Sequence, residues 1–282
     1  MEKYVAPVED MSFILTNLLD IDNYLKSINN KELSFDSLKM IIEEAGKFAC
    51  DELDTINQVG DQEGIKLENG VVRMPESFIK AYKKFVNTGW FSVIGEKKYG
   101  GQDLPLSAVV MINEIWHSTN MSFATNNMLT QGAVELLESH GNENQKEYYL
   151  PKLISGKWSG TMNLTEPHAG SDLSTIKTKA IEKDKKFLLK GTKIYITHGD
   201  QDMSDNIIHL VLAKLPNAPE GVRGISLFLV PKYYLNDKGT KVKNDIKVVS
   251  VEHKLGHHAS PTCVLSFGEN EGAVGDLVGE PN

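Results

Sequence analysis

Trp158-Ser-Gly-Thr-Met-Asn-Leu-Thr-Glu-Pro-His-Ala-Gly-Ser-Asp172 is where the chain changes character. Trp158, Gly160, Met162 and Leu164 alternate with polar neighbours, which is the period of a β-strand. Pro167 then turns the chain into a small-residue stretch, Ala169-Gly170-Ser171. Downstream, short β-branched or aromatic runs recur at Phe187–Lys190, Lys193–Thr197, Ile207–Ala213, Ile225–Val230, Ile246–Val251 and Thr262–Phe267. Clusters of Gly, Asp, Asn and Pro, such as Lys214–Gly224 and Asn236–Asn244, punctuate them. Strands this short at this spacing predict a barrel or sandwich.

Upstream the period is helical. Phe35, Leu38, Ile41, Ile42, Ala45 and Ala49 fall on one stripe. Pro75 opens a second helix carrying Phe78, Ile79, Tyr82, Phe85 and Val86, and Gly89 ends it. Further helices are expected from Pro105 through Trp116, over Leu129–Leu137, and from an Asn142 cap to Ile154, with Pro151 bending or shortening the last. The expected fold is α+β in two segregated domains: an N-terminal all-α helical bundle over 1–155, then an all-β barrel or sandwich domain over 156–282.

Composition narrows the function. With 282 residues, 40% of them apolar, the chain buries a sizeable core. A net charge of −8 lacks the basic footprint of a nucleic-acid binder. No uncharged apolar run approaches the ~20 residues of a membrane span, and the acidic start has no signal-peptide core. Cys50 and Cys263 make no disulfide framework, so a cytoplasmic location is expected. Residues 1–155 hold 14 basic and 23 acidic side chains, whereas 156–282 hold 16 and 15, so an anionic ligand favours the second half.

Two segments carry candidate chemistry. The loop Thr165–Asp172 offers backbone N–H and hydroxyl donors where glycine lets a ligand approach closely, although a hairpin loop with local hydrogen bonds also fits these residues. In Gly191-Thr-Lys-Ile-Tyr-Ile-Thr-His198, alternation places Tyr195 and Thr197 on one face, so that a ring packs on a planar ligand while a hydroxyl meets its edge. An ordinary strand with an outward Thr fits equally well. His253, His257 and His258 lack accompanying acidic or Cys ligands and are read as solvated, with no metal. Lys183, Lys185 and Lys186 read as a hairpin tip. Gly60, Gly64 and Gly70, among acidic residues, read as a flexible loop.

Together, Thr165-Glu-Pro-His-Ala-Gly-Ser-Asp172 and Tyr195-Ile-Thr197 resemble the two flavin-binding segments of the acyl-CoA dehydrogenase family. Lys98-Tyr-Gly-Gly101, Val211-Leu-Ala213 and Lys254-Leu-Gly256 match its pattern in order. Tyr4-Val-Ala-Pro7 with Phe13, Gly224–Pro231 and Glu252–Cys263 are similar to the subgroup with an N-terminal helical extension, here within residues 1–60, which includes 3-methylmercaptopropionyl-CoA dehydrogenase-like proteins.

The resemblance implies an FAD-dependent α,β-dehydrogenation of an acyl-CoA thioester. It implies that Thr165 hydrogen-bonds the pyrimidine side of the isoalloxazine and Thr197 bonds near N5. Met162, Asn163 and Leu164 supply backbone contacts, Gly170 and Ile196 belong to the same two segments, and Ser171 sits where the CoA portion passes. Tyr195 stands where many members have Trp, and His198 where many have Asn. The family's catalytic Glu comes from a C-terminal helical domain, which the resemblance implies is absent before Asn282. Glu166 is then loop scaffold, and this chain alone is expected to be inactive. An electron-transfer flavoprotein is the implied electron acceptor, and members form homo-oligomers. A non-catalytic remnant binding flavin, acyl-CoA or a partner subunit, and a flavin oxidase of the same fold, remain as alternatives.

Overall fold

The computed structural model describes residues 3–236 and 238–282. Its helices follow the caps and stripes of the sequence. After α1 (Val8–Phe13) and α2 (Ile21–Ser27), the Ser34 hydroxyl accepts from the Ser37 amide and the Ser37 hydroxyl from the Ser34 amide, a capping box that starts α3 (Phe35–Phe48). A wide turn, Ala49–Leu53, leads from α3 into α4 (Asp54–Glu63). Next come α5 (Glu76–Asn87), α6 (Leu106–Thr119) and the 20-residue α7 (Met121–His140). The Asn142–Gln145 capping box starts α8 (Glu143–Ile154), which runs through Pro151. Phe85 is fully buried at the centre of the bundle, with rings of Phe91, Trp116 and Phe123 edge-on at 5.1, 5.2 and 5.4 Å. Such pairs add about 0.5–1.5 kcal/mol each beyond the apolar area they bury.

The helical part is not all-α. A hairpin, β1 (Lys66–Glu68) and β2 (Val71–Arg73), turns at Asn69-Gly70, both at positive φ. Its amides lean on the barrel side: Val72 N–H donates to Asp200 Oδ2 and Met74 N–H to Asp202 Oδ1. Nor is Gly60 in a flexible loop. It lies buried in α4, where a Cβ would come within 2.4 Å of the Phe78 ring.

The remaining strands are β3 (Trp158–Asn163), β4 (Lys179–Lys183), β5 (Lys186–Thr197), β6 (Asn206–Lys214), β7 (Ile225–Pro231), β8 (Tyr233–Leu235), β9 (Lys241–Lys243), β10 (Ile246–Val251), β11 (Thr262–Phe267) and β12 (Ala273–Val278). Strands β5, β12, β7 and β6 pair antiparallel in that order, and β4 pairs with β5 and meets β6 at Lys179↔Lys214, closing a ring of five. Strand β3 lies parallel to β6 outside that ring, while β11 continues along the second half of β5 and carries β10. The two runs separated by Gly191 in the sequence are thus a single 12-residue strand. One apolar cluster joins Phe78, Phe85, Trp116 and Phe123 of the helices to Ala259, Cys263, Leu265 and Phe228 of the barrel side. The Tyr82 hydroxyl, donating to Gly156 O at 2.7 Å, ties the two parts at the crossing.

Candidate functional site

The end of β3 and the loop after it lie against the second half of β5. Thr161 Oγ1 donates to Thr197 O at 2.6 Å, and Ile194 N–H donates to Thr165 O at 2.9 Å. The two segments singled out in the sequence are therefore neighbours. Their loop is a tight turn: Glu166 N–H donates to Ala169 O and Ala169 N–H to Glu166 O, with Ala169 buried beneath. Farther on, Asp172 accepts from Ser174 N–H and caps a short helical turn, Leu173–Thr175.

Strand β5 is irregular where it meets the loop. Cys263 and Leu265 of β11 pair with Ile196 and Lys193, so β5 holds one residue more than its partner, and Tyr195 sits at φ 58°. This is a β-bulge. It turns both Lys193 and Ile196 inward, and it leaves Tyr195 61% exposed with Thr197 half-buried.

The predicted residues divide accordingly. Met162, Leu164, Thr165 and Thr197 are half-buried, and Tyr195 is exposed. Asn163 and Ile196 point inward and have only their backbone to offer; Asn163 Oδ1 is buried with no hydrogen-bond partner. Gly170 and Ser171 are exposed, and a Cβ on Gly170 would lie 3.6 Å from Thr165 Cγ2. Among the described residues, the hydroxyls of Thr165, Ser171 and Thr197 make no hydrogen bond. A groove of about 680 Å³ lined by Tyr148, Tyr149 and Tyr233 opens at Trp158, the opposite end of β3 from Asn163.

Glu166 is bound in place. Its carboxylate accepts from Lys177 N–H at 2.7 Å, Thr178 N–H at 3.0 Å, Thr178 Oγ1 at 2.6 Å and Lys193 Nζ at 2.9 Å, and it is only 3% exposed. Burial pushes its pKa up, but those donors outweigh burial and hold it below the ordinary carboxylate range. A carboxylate with four donors, three of them on Oε1, stays ionised. These bonds fit the scaffold role that the sequence leads one to expect of Glu166.

Behind Thr197, His198 is buried in the left-handed region at φ 49°. Its Nε2 lies 3.2 Å from Thr125 Oγ1 of α7 and 3.4 Å from Ser260 Oγ, so the strand end is tied to the helical part. Burial lowers its pKa to about 3, which keeps the imidazole neutral. His258 instead faces outward and bonds Asp61 and the Lys254 carbonyl. Sequence reasoning missed Lys193, Thr178 and Thr125 as supports of the site. The bulge hides Lys193 from any alternation pattern, and the other two are distant in sequence.

The acyl-CoA dehydrogenase N-terminal domain model matches residues 36–157, and the acyl-CoA dehydrogenase middle domain model matches 161–269. The 3-methylmercaptopropionyl-CoA dehydrogenase of Ruegeria pomeroyi is 44% identical over 99% of this chain, and a butyryl-CoA dehydrogenase of Syntrophomonas wolfei is 36% identical over 99%. Each match spans 47% of the relative, so the chain covers about half the length of these curated relatives. Among solved structures, the acyl-CoA dehydrogenase of Geobacillus kaustophilus superposes with a TM-score of 0.70 at 26% identity, covering 89% of this chain and 60% of that one. An acyl-CoA dehydrogenase of Bacillus anthracis complexed with FAD superposes at 0.69 and 25% identity, covering 89% and 38%. The paired loop and strand end, the helical part and the barrel together show that this chain belongs to the acyl-CoA dehydrogenase family.

Proposed function

We propose that this chain forms the flavin- and thioester-facing part of an FAD-dependent enzyme that removes hydrogen from Cα and Cβ of an acyl-CoA. The observation that carries the reading is the pairing of Thr165 with Ile194 and of Thr161 with Thr197, which brings together two segments whose threonine hydroxyls, on Thr165 and Thr197, are unengaged. The residues suit an isoalloxazine. Half-buried Met162 and Leu164 offer apolar side chains, Tyr195 presents an exposed ring, and the two hydroxyls are free donors for a heteroatom-rich edge.

In this reading Thr165 bonds the pyrimidine side and Thr197 bonds near N5, with backbone groups of Met162, Asn163, Leu164 and Ile196 along the ring. Gly170 lets the loop approach, and Ser171 lies where the CoA portion passes. Bound FAD would supply the hydride-accepting chemistry. The protein orients the ring and keeps donors aimed at its electron-accepting edge. Since Glu166 is committed to the loop, the α-proton base comes from elsewhere, and we place it in a helical domain beyond the two matched here. An electron-transfer flavoprotein as acceptor, homo-oligomeric assembly and a cytoplasmic location belong to the same proposal. Among the described residues, no helix is long and apolar enough to cross a membrane.

Titrating the purified protein with FAD and following flavin absorbance and fluorescence tests this reading. Stoichiometric uptake is expected, weakened about five- to tenfold by Thr197→Val, the value of one hydrogen bond. Protein that takes up no FAD overturns it. Anaerobic bleaching of that flavin by an acyl-CoA, with no other chain present, would overturn the placement of the base.

A further inference from the structure

Lys193 is a costly residue for its place. Its side chain is 0% exposed and its ammonium is buried against Glu166. A buried ion pair is often no more stabilising than apolar side chains of the same size, because both ions lose their water. Lys193 therefore calls for a reason beyond stability.

The reason lies in what the ammonium holds. Lys193 Nζ donates to Leu164 O and to Glu166 Oε1, each at 2.9 Å. These are the residues on either side of Thr165. The carbonyl of Thr165 itself accepts from the amide of Ile194, next to Lys193. Three consecutive loop residues are thus bound by two consecutive strand residues, immediately before the bulge that exposes Tyr195 and leads to Thr197. Glu166 carries the restraint onward to Lys177 and Thr178 at the far end of the loop.

We propose that Lys193 is a positioning residue that sets Thr165 in register with Tyr195 and Thr197, so that both segments present one preformed edge. This deepens the flavin reading and rests on it only for its ligand-binding half. Lys193 touches no reacting atom. Its action is through the loop carbonyl and carboxylate that it holds.

The test uses Lys193→Met, which keeps the unbranched stem and removes the ammonium, and Lys193→Met/Glu166→Gln, which also removes the charge left behind. Hydrogen exchange is measured without flavin. In Lys193→Met the amides of Ile194, Lys177 and Thr178 are expected to exchange roughly 100-fold faster, as loss of one partner of a buried pair implies, while β6 and β7 amides stay protected. The double variant is expected to recover most of the melting temperature and none of the FAD affinity, which stays on the order of tenfold or more below wild type. Affinity that returns together with the melting temperature would make the pair a stability element only and overturn the proposal. So would unchanged exchange at those three amides, or faster exchange spread through β6 and β7. If wild-type protein takes up no FAD, the flavin reading fails separately, and the exchange pattern alone decides whether Lys193 orders the loop.

Discussion

Gly160 stands two residues before Met162 in β3, where α7 crosses the strand, and its amide donates to Thr130 Oγ1 of that helix. A Cβ built on Gly160 lies 2.4 Å from Ala133 Cβ, against roughly 3.5–4.0 Å for two carbons in contact. Gly160→Ala therefore has to push α7 and β3 apart by more than an ångström. Overpacking of this kind costs about 1–3 kcal/mol, offset by about 0.4–1 kcal/mol from the stiffer unfolded chain. Because Gly160 is not at a positive φ, backbone strain adds nothing to the clash. Ala133→Gly makes the room and by itself costs about 0.5–1 kcal/mol in a helix interior. Urea denaturation of the wild type, both single variants and the double variant gives the coupling. It is expected to be favourable by more than about 1 kcal/mol, with the double variant no less stable than Ala133→Gly alone. Additive costs, or a stable Gly160→Ala, would refute the close crossing of α7 and β3.

Two other outcomes follow from the packing and the buried imidazoles. Phe85→Ala, which empties the centre of the edge-on aromatic cluster, is expected to lose about 3–5 kcal/mol in the same denaturation experiment; a loss under about 1.5 kcal/mol would mean that the neighbouring rings collapse into the space. His198 and His209 are buried neutral with pKa values lowered to about 3, so between about 6.5 and 3 the unfolded chain binds more protons than the folded one. Their contribution is complete above pH 6.5 and is lost as the pH falls toward 3, so His198→Asn and His209→Asn should each flatten the decline of stability with acid, measured by thermal melts across that range.

Helices α3, α5 and α8 were legible because each signal was local, a buried stripe at 38, 42, 45 and 49, a glycine at φ 81° after α5 and the Asn142 cap, whereas α1, α2 and α4 were not among the expected helices. The β1–β2 hairpin was missed although Asn69-Gly70 is a strong turn pair, because its strands are only three residues long and β1 is fully exposed. Gly60 misled for another reason, since it is glycine to admit the Phe78 ring and not to free the backbone. Gly191 likewise split β5 on paper, whereas in the fold it lets Thr178 pass, a Cβ there falling 2.2 Å from Thr178 Oγ1. At the candidate site, Thr165 and Thr197 stood out through family resemblance. The ties that align them depend on a bulge and on residues 11 to 36 positions away, which no single stretch of sequence displays.

The apolar cluster that passes without a break from the helices into the barrel side bears on how the molecule comes apart. A chain severed between Ile154 and Trp158 would cut through a shared interior, parting Phe78 and Phe123 from Ala259 and Cys263 of the same cluster. Neither piece is expected to keep its shape in isolation. Heat should melt helices and strands in one cooperative step, and the edge formed by Thr165 and Thr197 should vanish with them, even though the bonds that join the loop to β5 lie within the second piece while the His198–Thr125 contact reaches the first.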